Sequence, residues 1–308
     1  GELTLDDGVA LELRGARLVV DGGRQVTLRW GKVLVVAEGP VSVRSEPVTV
    51  RAAGGIFRVD RDDSTRVAVY KDEARIDGPS SLLSVPTYHE SLVAGGVVPP
   101  SAQALQIDPS DRWDIRYLKD AIDIDARLAN LSRGLEAQLG SGTGVDFYRR
   151  VLPEGFPLNL LGPMAADRKT DVLIGSLIAH EATARGTDEA AAVAGVFAMW
   201  REGASWGLVA HRFGVAQKEL FSLLLDSVNR ANLVDQGRGP GLASRRPSPG
   251  PPPTHPGTAT PQPSEQPSAT PQPSPGPSPG ADVLKPVTDL LDQVVQGLLG
   301  GLLSPSPK

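Results

Sequence analysis

The 308-residue chain has no cysteine, so neither a disulfide frame nor a thiolate metal site can form. Its four histidines, His89, His180, His211 and His255, are widely spread. The pair His180-Glu181 has Ala184 where a zinc motif would need a second histidine. No run of 18 apolar residues occurs, which removes the sequence signature of a membrane-spanning helix. Charge of one sign is lacking too. Lys+Arg 31 against Asp+Glu 36 leaves a formal net charge of −5, the wrong balance for a protein that mainly grips phosphate. No motif calls for a cofactor, and none is expected.

What is present first is alternation. Val26 to Trp30, Lys32 to Val36, Val41 to Arg44, Val48 to Arg51, Ile56 to Val59 and Arg66 to Tyr70 carry apolar side chains at a period close to two. Such a period puts one face of a strand in a core and the other in water. Gly31, Glu38-Gly39-Pro40, Glu46-Pro47, Gly54-Gly55 and Asp60 to Ser64 separate the runs as turn-forming clusters. Leu3 to Leu5, Val9 to Leu13 and Ala16 to Val20 add three more candidates. Residues 1–78 are therefore expected to form an all-β domain of nine short strands: a sandwich, a small barrel or a solenoid.

Proline, serine and glycine then mark 79–109 as a linker. From Ser110 the period becomes helical. Trp113, Tyr117, Leu118, Ala121, Ile122, Ile124, Leu128, Leu131, Leu135 and Leu139 fall three and four apart until the glycine-rich stretch 140–144. Further helices are expected at 146–151, 169–185, 188–202, 206–213 and 216–232, making 110–236 an all-α domain. Asp120, Asp123 and Asp125 read as the solvated face of its first helix. Fifteen prolines between Pro240 and Pro279, with Ala-Thr-Pro-Gln-Pro-Ser repeated at 259–264 and 269–274, mark 237–281 as a disordered spacer. The terminal segment 282–308 carries an apolar stripe that includes Leu290, Leu291, Val294, Leu298 and Leu302. Segment 287–303 is expected to dock on a membrane, a groove or another helix, or to fold back on the helical domain.

Two motifs suggest chemistry or nucleic acid. Gly203-Ala-Ser205-Trp-Gly207, with His211 and Asp226 downstream, matches the nucleophile elbow of serine hydrolases. The elbow needs a strand entering a sharp turn above a parallel sheet, and its flanks here read as helix. A glycine-rich helix–helix turn is the preferred reading. Segment 206–220 fits a helix-turn-helix, with Ala210 at a crossing, Gly214 at the turn and Leu220 packing the second helix. Gln217 and Lys218 suit a DNA reader, but Glu219 and Asp226 oppose phosphate and there is no basic stripe, so a packing hairpin is preferred.

Residues 26–76 resemble the FecR domain, an extracytoplasmic β module of regulators of sigma factors. The resemblance lies in Val26 to Val33, in Val48 to Val59 with its Gly54-Gly55 pair before Phe57-Arg58-Val59, and in Thr65 to Ile76. The sequence departs at Lys71-Asp72-Glu73, where that family usually has a glycine. Trp113 to Leu118 and Arg201 to Gly207 are similar to the helical half of actinobacterial FecR-domain proteins. The resemblance implies a β-solenoid or sandwich outside the membrane, with a signalling or scaffolding role and a protein partner. The chain opens on Gly1 without a basic-then-apolar leader, and is expected to be extracytoplasmic: secreted, or anchored through a segment upstream of residue 1. The expected function is non-enzymatic contact with a protein or an envelope component. Arg44, Arg51, Arg58 and Arg66 would form an exposed basic stripe on the β edges, or simply blunt those edges against aggregation. The alternatives are a DNA-binding regulator using 206–220 and a serine hydrolase using Ser205.

Overall fold

The computed structural model describes residues 1–5, 8–139, 144–164 and 167–235. The spacer at 237–281 and the terminal stripe of Leu290, Leu291, Val294, Leu298 and Leu302 lie outside the described residues.

Eleven strands are seen: β1 (Glu2–Leu5), β2 (Val9–Gly22), β3 (Gln25–Ala37), β4 (Val41–Ser45), β5 (Val48–Ala52), β6 (Gly55–Arg61), β7 (Ser64–Lys71), β8 (Ala74–Asp77), β9 (Leu82–Val85), β10 (His89–Ala94) and β11 (Gln103–Ala104). They form one curled, mixed sheet in the order β11-β10-β7-β6-β3-β4-β5-β8-β9, with β2 on β3 and β1 on β2. Every pair is antiparallel except β3–β4. Of the sandwich, small barrel or solenoid expected, the sheet comes nearest the barrel, as a half-barrel. Its hollow is filled by Val9, Leu11, Val26, Leu28, Val33, Val35, Val43, Val50, Phe57, Val59, Val67, Val69 and Ile76. Segment 79–109, expected as a linker, supplies β9, β10 and β11 instead. The short runs Leu82 to Val85 and His89 to Ala94 pair with β8 and β7, so the flanking prolines mark strand ends.

Two positions read as breaks between strands turn out to be bends within them. β2 and β3 run on through Gly15 and Gly31, with a register shift between Arg14 and Arg17. Gly31 sits at φ 91°, and a Cβ there would overlap the carbonyl of Gly15. Only glycine allows both the left-handed backbone and the close approach. At Lys71-Asp72-Glu73, Asp72 takes the left-handed conformation itself, at φ 65°. Aspartate tolerates this region where a branched residue does not. Asp72→Val is therefore expected to lower stability by about 1–2 kcal/mol in urea unfolding while Asp72→Gly leaves it nearly unchanged. Equal midpoints for the two variants would remove strain at this turn.

The helices lie close to where the spacing puts them: α1 (Arg112–Gln138), α2 (Val145–Val151), α3 (Lys169–Ala184), α4 (Glu189–Arg201), α5 (Trp206–Arg212) and α6 (Gln217–Asp235), with a 3-10 turn at Leu158–Met164. The helical path of α1 is interrupted at Leu118 (φ −130°, ψ 22°), which nothing in the sequence announces. α3 is the central rod: Val172 to Ala179 is buried without a break.

The central strands do not face water on their second side. Leu34, Ala68 and Tyr70 are buried with Leu105, Trp113, Leu118, Ala121 and Ile124 in an apolar cluster that continues through α3, α4, α5 and α6. Sheet and helices therefore share a core and form one compact unit among the described residues.

Candidate functional site

The register of the sheet decides where its charged side chains go. Glu12, Leu34, Arg58, Ala68 and Glu90 lie directly opposite one another in a row across β2, β3, β6, β7 and β10. Arg14, Lys32, Asp60 and Arg66 form a second row two residues along. Residues two apart on a strand share a face, so both rows face the helices. Cations and carboxylates alternate between them.

The start of α1 enters this checkerboard. Asp111 accepts two hydrogen bonds from Arg14, both at 3.2 Å, and stands 3.1 Å from Nη1 of Arg58. Nε of Arg58 donates to Asp60 at 2.6 Å. The Trp113 indole lies beneath Arg14, 4.0 Å from guanidinium carbon to ring centroid, with Arg58 5.2 Å away, and its Nε1 donates to Glu12 at 3.0 Å. Glu12 also pairs with Arg116. Cation–π contact of this kind strengthens when water is excluded. Burial alone would raise the Asp111 carboxyl, but the Trp113 amide, Arg58 and Arg14 outweigh it and hold it below its ordinary value. Asp114, wholly buried, accepts from the Tyr70 hydroxyl at 2.5 Å and from the Asp108 amide at 2.8 Å. Burial nonetheless pushes its carboxyl up, and pushes the Tyr70 hydroxyl up further. Beside this knot an open cleft of about 450 Å³ is lined by Glu12, Arg14, Arg112, Trp113 and Arg116.

Arg58 is thus not an edge residue. It is 2% exposed and tied between Asp60 and Asp111, because α1 covers the face that alternation assigned to water. Arg66 lies on the same covered face, donating to Glu90 at 3.0 Å and to the Gln106 carbonyl at 3.1 Å. Glu90 is buried, and also accepts from Gln103 and the Gln106 amide. Arg44 and Arg51 lie elsewhere, exposed on β4 and β5, paired with Glu46 and Asp77. Arg51 stands directly opposite Arg75, beside a groove of about 1040 Å³ lined also by Glu73, Asp77 and Leu82. The four arginines form two separate pairs and no single stripe.

Ser205 is the N-cap of α5. Its hydroxyl accepts from the Leu208 amide at 3.3 Å, and the element before it is α4, so no strand drives an elbow. Asp125, expected in solvent, lies under the same helix start and accepts from the Gly207 amide at 2.6 Å. Burial raises its carboxyl against the opposing hydrogen bonds of Ser205 and Gly207. His211 packs edge-on against Tyr88, centroids 5.3 Å apart, and burial lowers its titration. Segment 206–220 does fold as α5, a turn and the start of α6. Ala210 is buried at the crossing, and Glu219 in the first turn of α6 accepts from the Ala216 amide and pairs with Arg185 at the end of α3. Among the described residues no group of three or more metal-ligating side chains converges, and no helix is long and apolar enough to cross a membrane.

The sequence reading missed Glu12, Asp111, Asp114 and Trp113 as a set. They entered it singly: Glu12 within a strand run, Asp111 at a helix start, and Trp113 and Asp114 as parts of a helical pattern and of a resemblance. Their side-chain partners on the sheet lie 44 to 104 positions away in the chain, beyond the reach of any local pattern.

No family model matches the chain, and no curated protein sequence matches it. Two crystal structures of a protein assigned as an anti-sigma factor from Parabacteroides distasonis align with it at 20% identity and a TM-score of 0.30. The alignment covers 34% of this chain and 55–56% of that protein, little more than half its length. Similarity at that level is too loose to carry a fold or a role across.

Proposed function

We propose that this is a non-enzymatic, FecR-like regulatory or scaffold protein that works on the extracytoplasmic side of a membrane through contacts with another protein. One observation carries the reading. Seven large apolar side chains stand exposed among the described residues, and six of them, Val19, Val20, Trp30, Leu82, Leu92 and Val97, belong to the β half; Ile115 is the exception. We take the exposed apolar groups of the β half, foremost Val19 on β2 and Trp30 on the neighbouring β3, as its contact surface. The resemblance of residues 26–76 to FecR modules points the same way. The most heavily charged cluster, at the junction of sheet and helices, is taken up in internal ion pairs.

A photocrosslinking residue placed at Trp30, Leu82 or Leu92 in the producing cell is expected to give a discrete protein adduct from at least one position, and none from Ile115. Silence from all three sinks the proposal. Location has its own test, because the chain lacks cysteine. A single Ser84→Cys substitution, at an exposed site, should react with a membrane-impermeant maleimide in intact cells. Labelling only after lysis would place the protein inside.

A further inference from the structure

The strands β4, β5, β8 and β9 pair without a register shift, so their side chains stand in straight rows. Val43, Val50, Ile76 and Leu83 form a row turned into the hollow, where all four are buried. Their neighbours along each strand therefore face outward. Ser42, Arg51, Arg75 and Ser84 make one outward row, and Arg44, Thr49, Asp77 and Leu82 the next. No residue of these four strands belongs to the apolar cluster shared with the helices. Arg51, Arg75, Leu82 and Ser84 are all exposed.

In the first of these rows two guanidiniums stand directly opposite each other. Like charges so placed destabilise a sheet, and this pair is neutralised unevenly. Arg51 pairs with Asp77, whereas Arg75 has no ion pair among the described residues. Both arginines line the outer groove of about 1040 Å³, together with Pro40 and with Leu82, which is 56% exposed. Glu73 and Asp77, two residues to either side of Arg75, line it as well. A run of negative charges would meet both carboxylates. A single one can sit between the guanidiniums.

We propose that this groove docks an extended segment of a partner protein through one aspartate or glutamate set in uncharged, partly apolar sequence. The carboxylate bridges Arg51 and Arg75, accepting from both guanidiniums, and gives Arg75 the acidic partner it lacks. Residues two apart on an extended chain lie about 6.6–6.8 Å apart, which is also the step from the Arg75 row to the Leu82 row. An apolar side chain two positions from the carboxylate therefore lies on Leu82. A polyanion is a poor occupant, because Glu73 and Asp77 oppose every charge beyond the first. The inference rests on the protein-contact reading above and names the chemistry of one part of the partner.

The probe is the acetylated, amidated heptapeptide Ser-Leu-Ser-Glu-Ser-Leu-Ser, titrated at low salt into the nitrogen-labelled full chain. Heteronuclear NMR of the arginine Nε–Hε groups, which registers weak binding, is the readout. The Arg51 and Arg75 resonances are expected to shift together and saturably, and less so as salt is added. Affinity should fall about tenfold in Arg75→Gln, and about as much when glutamine replaces the glutamate of the peptide. Serine in place of its leucines should weaken binding too. Backbone resonances away from the groove that match the parent would show that Arg75→Gln leaves the fold intact. No saturable shift, an equal response to the glutamine peptide, or indifference to Arg75→Gln would each overturn the proposal. So would tighter binding of hexaglutamate or inorganic phosphate, or a dimer in sedimentation that Arg75→Gln dissolves. Trp30 does not line this groove, so adducts formed from it test the broader reading separately.

Discussion

Gly207→Ala is expected to cost about 3 kcal/mol of stability, near the upper end for forcing one carbon into a packed site. Gly207 lies at the crossing of α5 over α1. A Cβ there would overlap the carbonyl oxygen of Ala121 and approach the carboxyl carbon of Asp125 to 2.7 Å. The obstacle is backbone, which cannot swing aside as a side chain can, so the helices must part. The Gly207 amide would also be drawn away from Asp125, leaving a half-buried carboxylate short of one of its donors. Gly134→Ala in α1 is the control: nothing lies within 4 Å of the added carbon, and alanine should stabilise the helix by about 0.5–1 kcal/mol. Urea unfolding of both variants decides the matter. A Gly207→Ala midpoint equal to that of the parent would mean that α1 and α5 do not cross this closely.

Arg58→Ala should be about as damaging, at roughly 3 kcal/mol, because removing one member of a buried ion pair strands the charges it balanced. Asp60 and Asp111 would face each other with Arg14 as the nearest remaining cation on Asp111, and the Trp113 ring would lose one of its two guanidinium neighbours. The loss should depend on pH. Asp111 is held below its ordinary value, so its contribution is present above the unfolded carboxyl pKa near 3.9 and fades as pH falls through the lower folded value. The gap between parent and variant is therefore expected to narrow on acidification from pH 7 towards pH 3. A gap that widens, or a variant as stable as the parent at neutral pH, would show that the knot does not bind helix to sheet.

Much of the architecture was legible. Helical spacing from Trp113 to Leu139 located α1, and the turn clusters Glu46-Pro47 and Asp60 to Ser64 located the β4–β5 and β6–β7 connections. The second face of the sheet was the main misreading, although the sequence holds a sign of it. Val33-Leu34-Val35-Val36 is apolar at every position, as a strand covered on both sides should be. Read as one more alternating run, it concealed the site where α1 lands. Arg58 was misplaced for the same reason: a polar residue at the outward phase of a strand looks the same whether water or a later helix meets it. Prolines around 79–109 suggested a linker because proline ends strands as readily as it fills loops. The half-barrel itself depends on which strand pairs with which, and the parallel step from β3 to β4 is written in no local pattern.

The order of synthesis follows from the shared core. The sheet is finished at Ala104, whereas the last helix ends at Asp235, roughly 130 residues later. At about 5–20 residues per second, a ribosome needs on the order of 7 to 26 seconds to deliver that cover. Until α1 is delivered and held in place by the helices behind it, Leu34, Ala68 and Tyr70 are a greasy panel on a nascent half-barrel, beside an Arg58 guanidinium still missing its Asp111 partner. The newborn chain should thus be a client for holding chaperones, and fragments ended near residue 109 should be among the least tractable pieces to express.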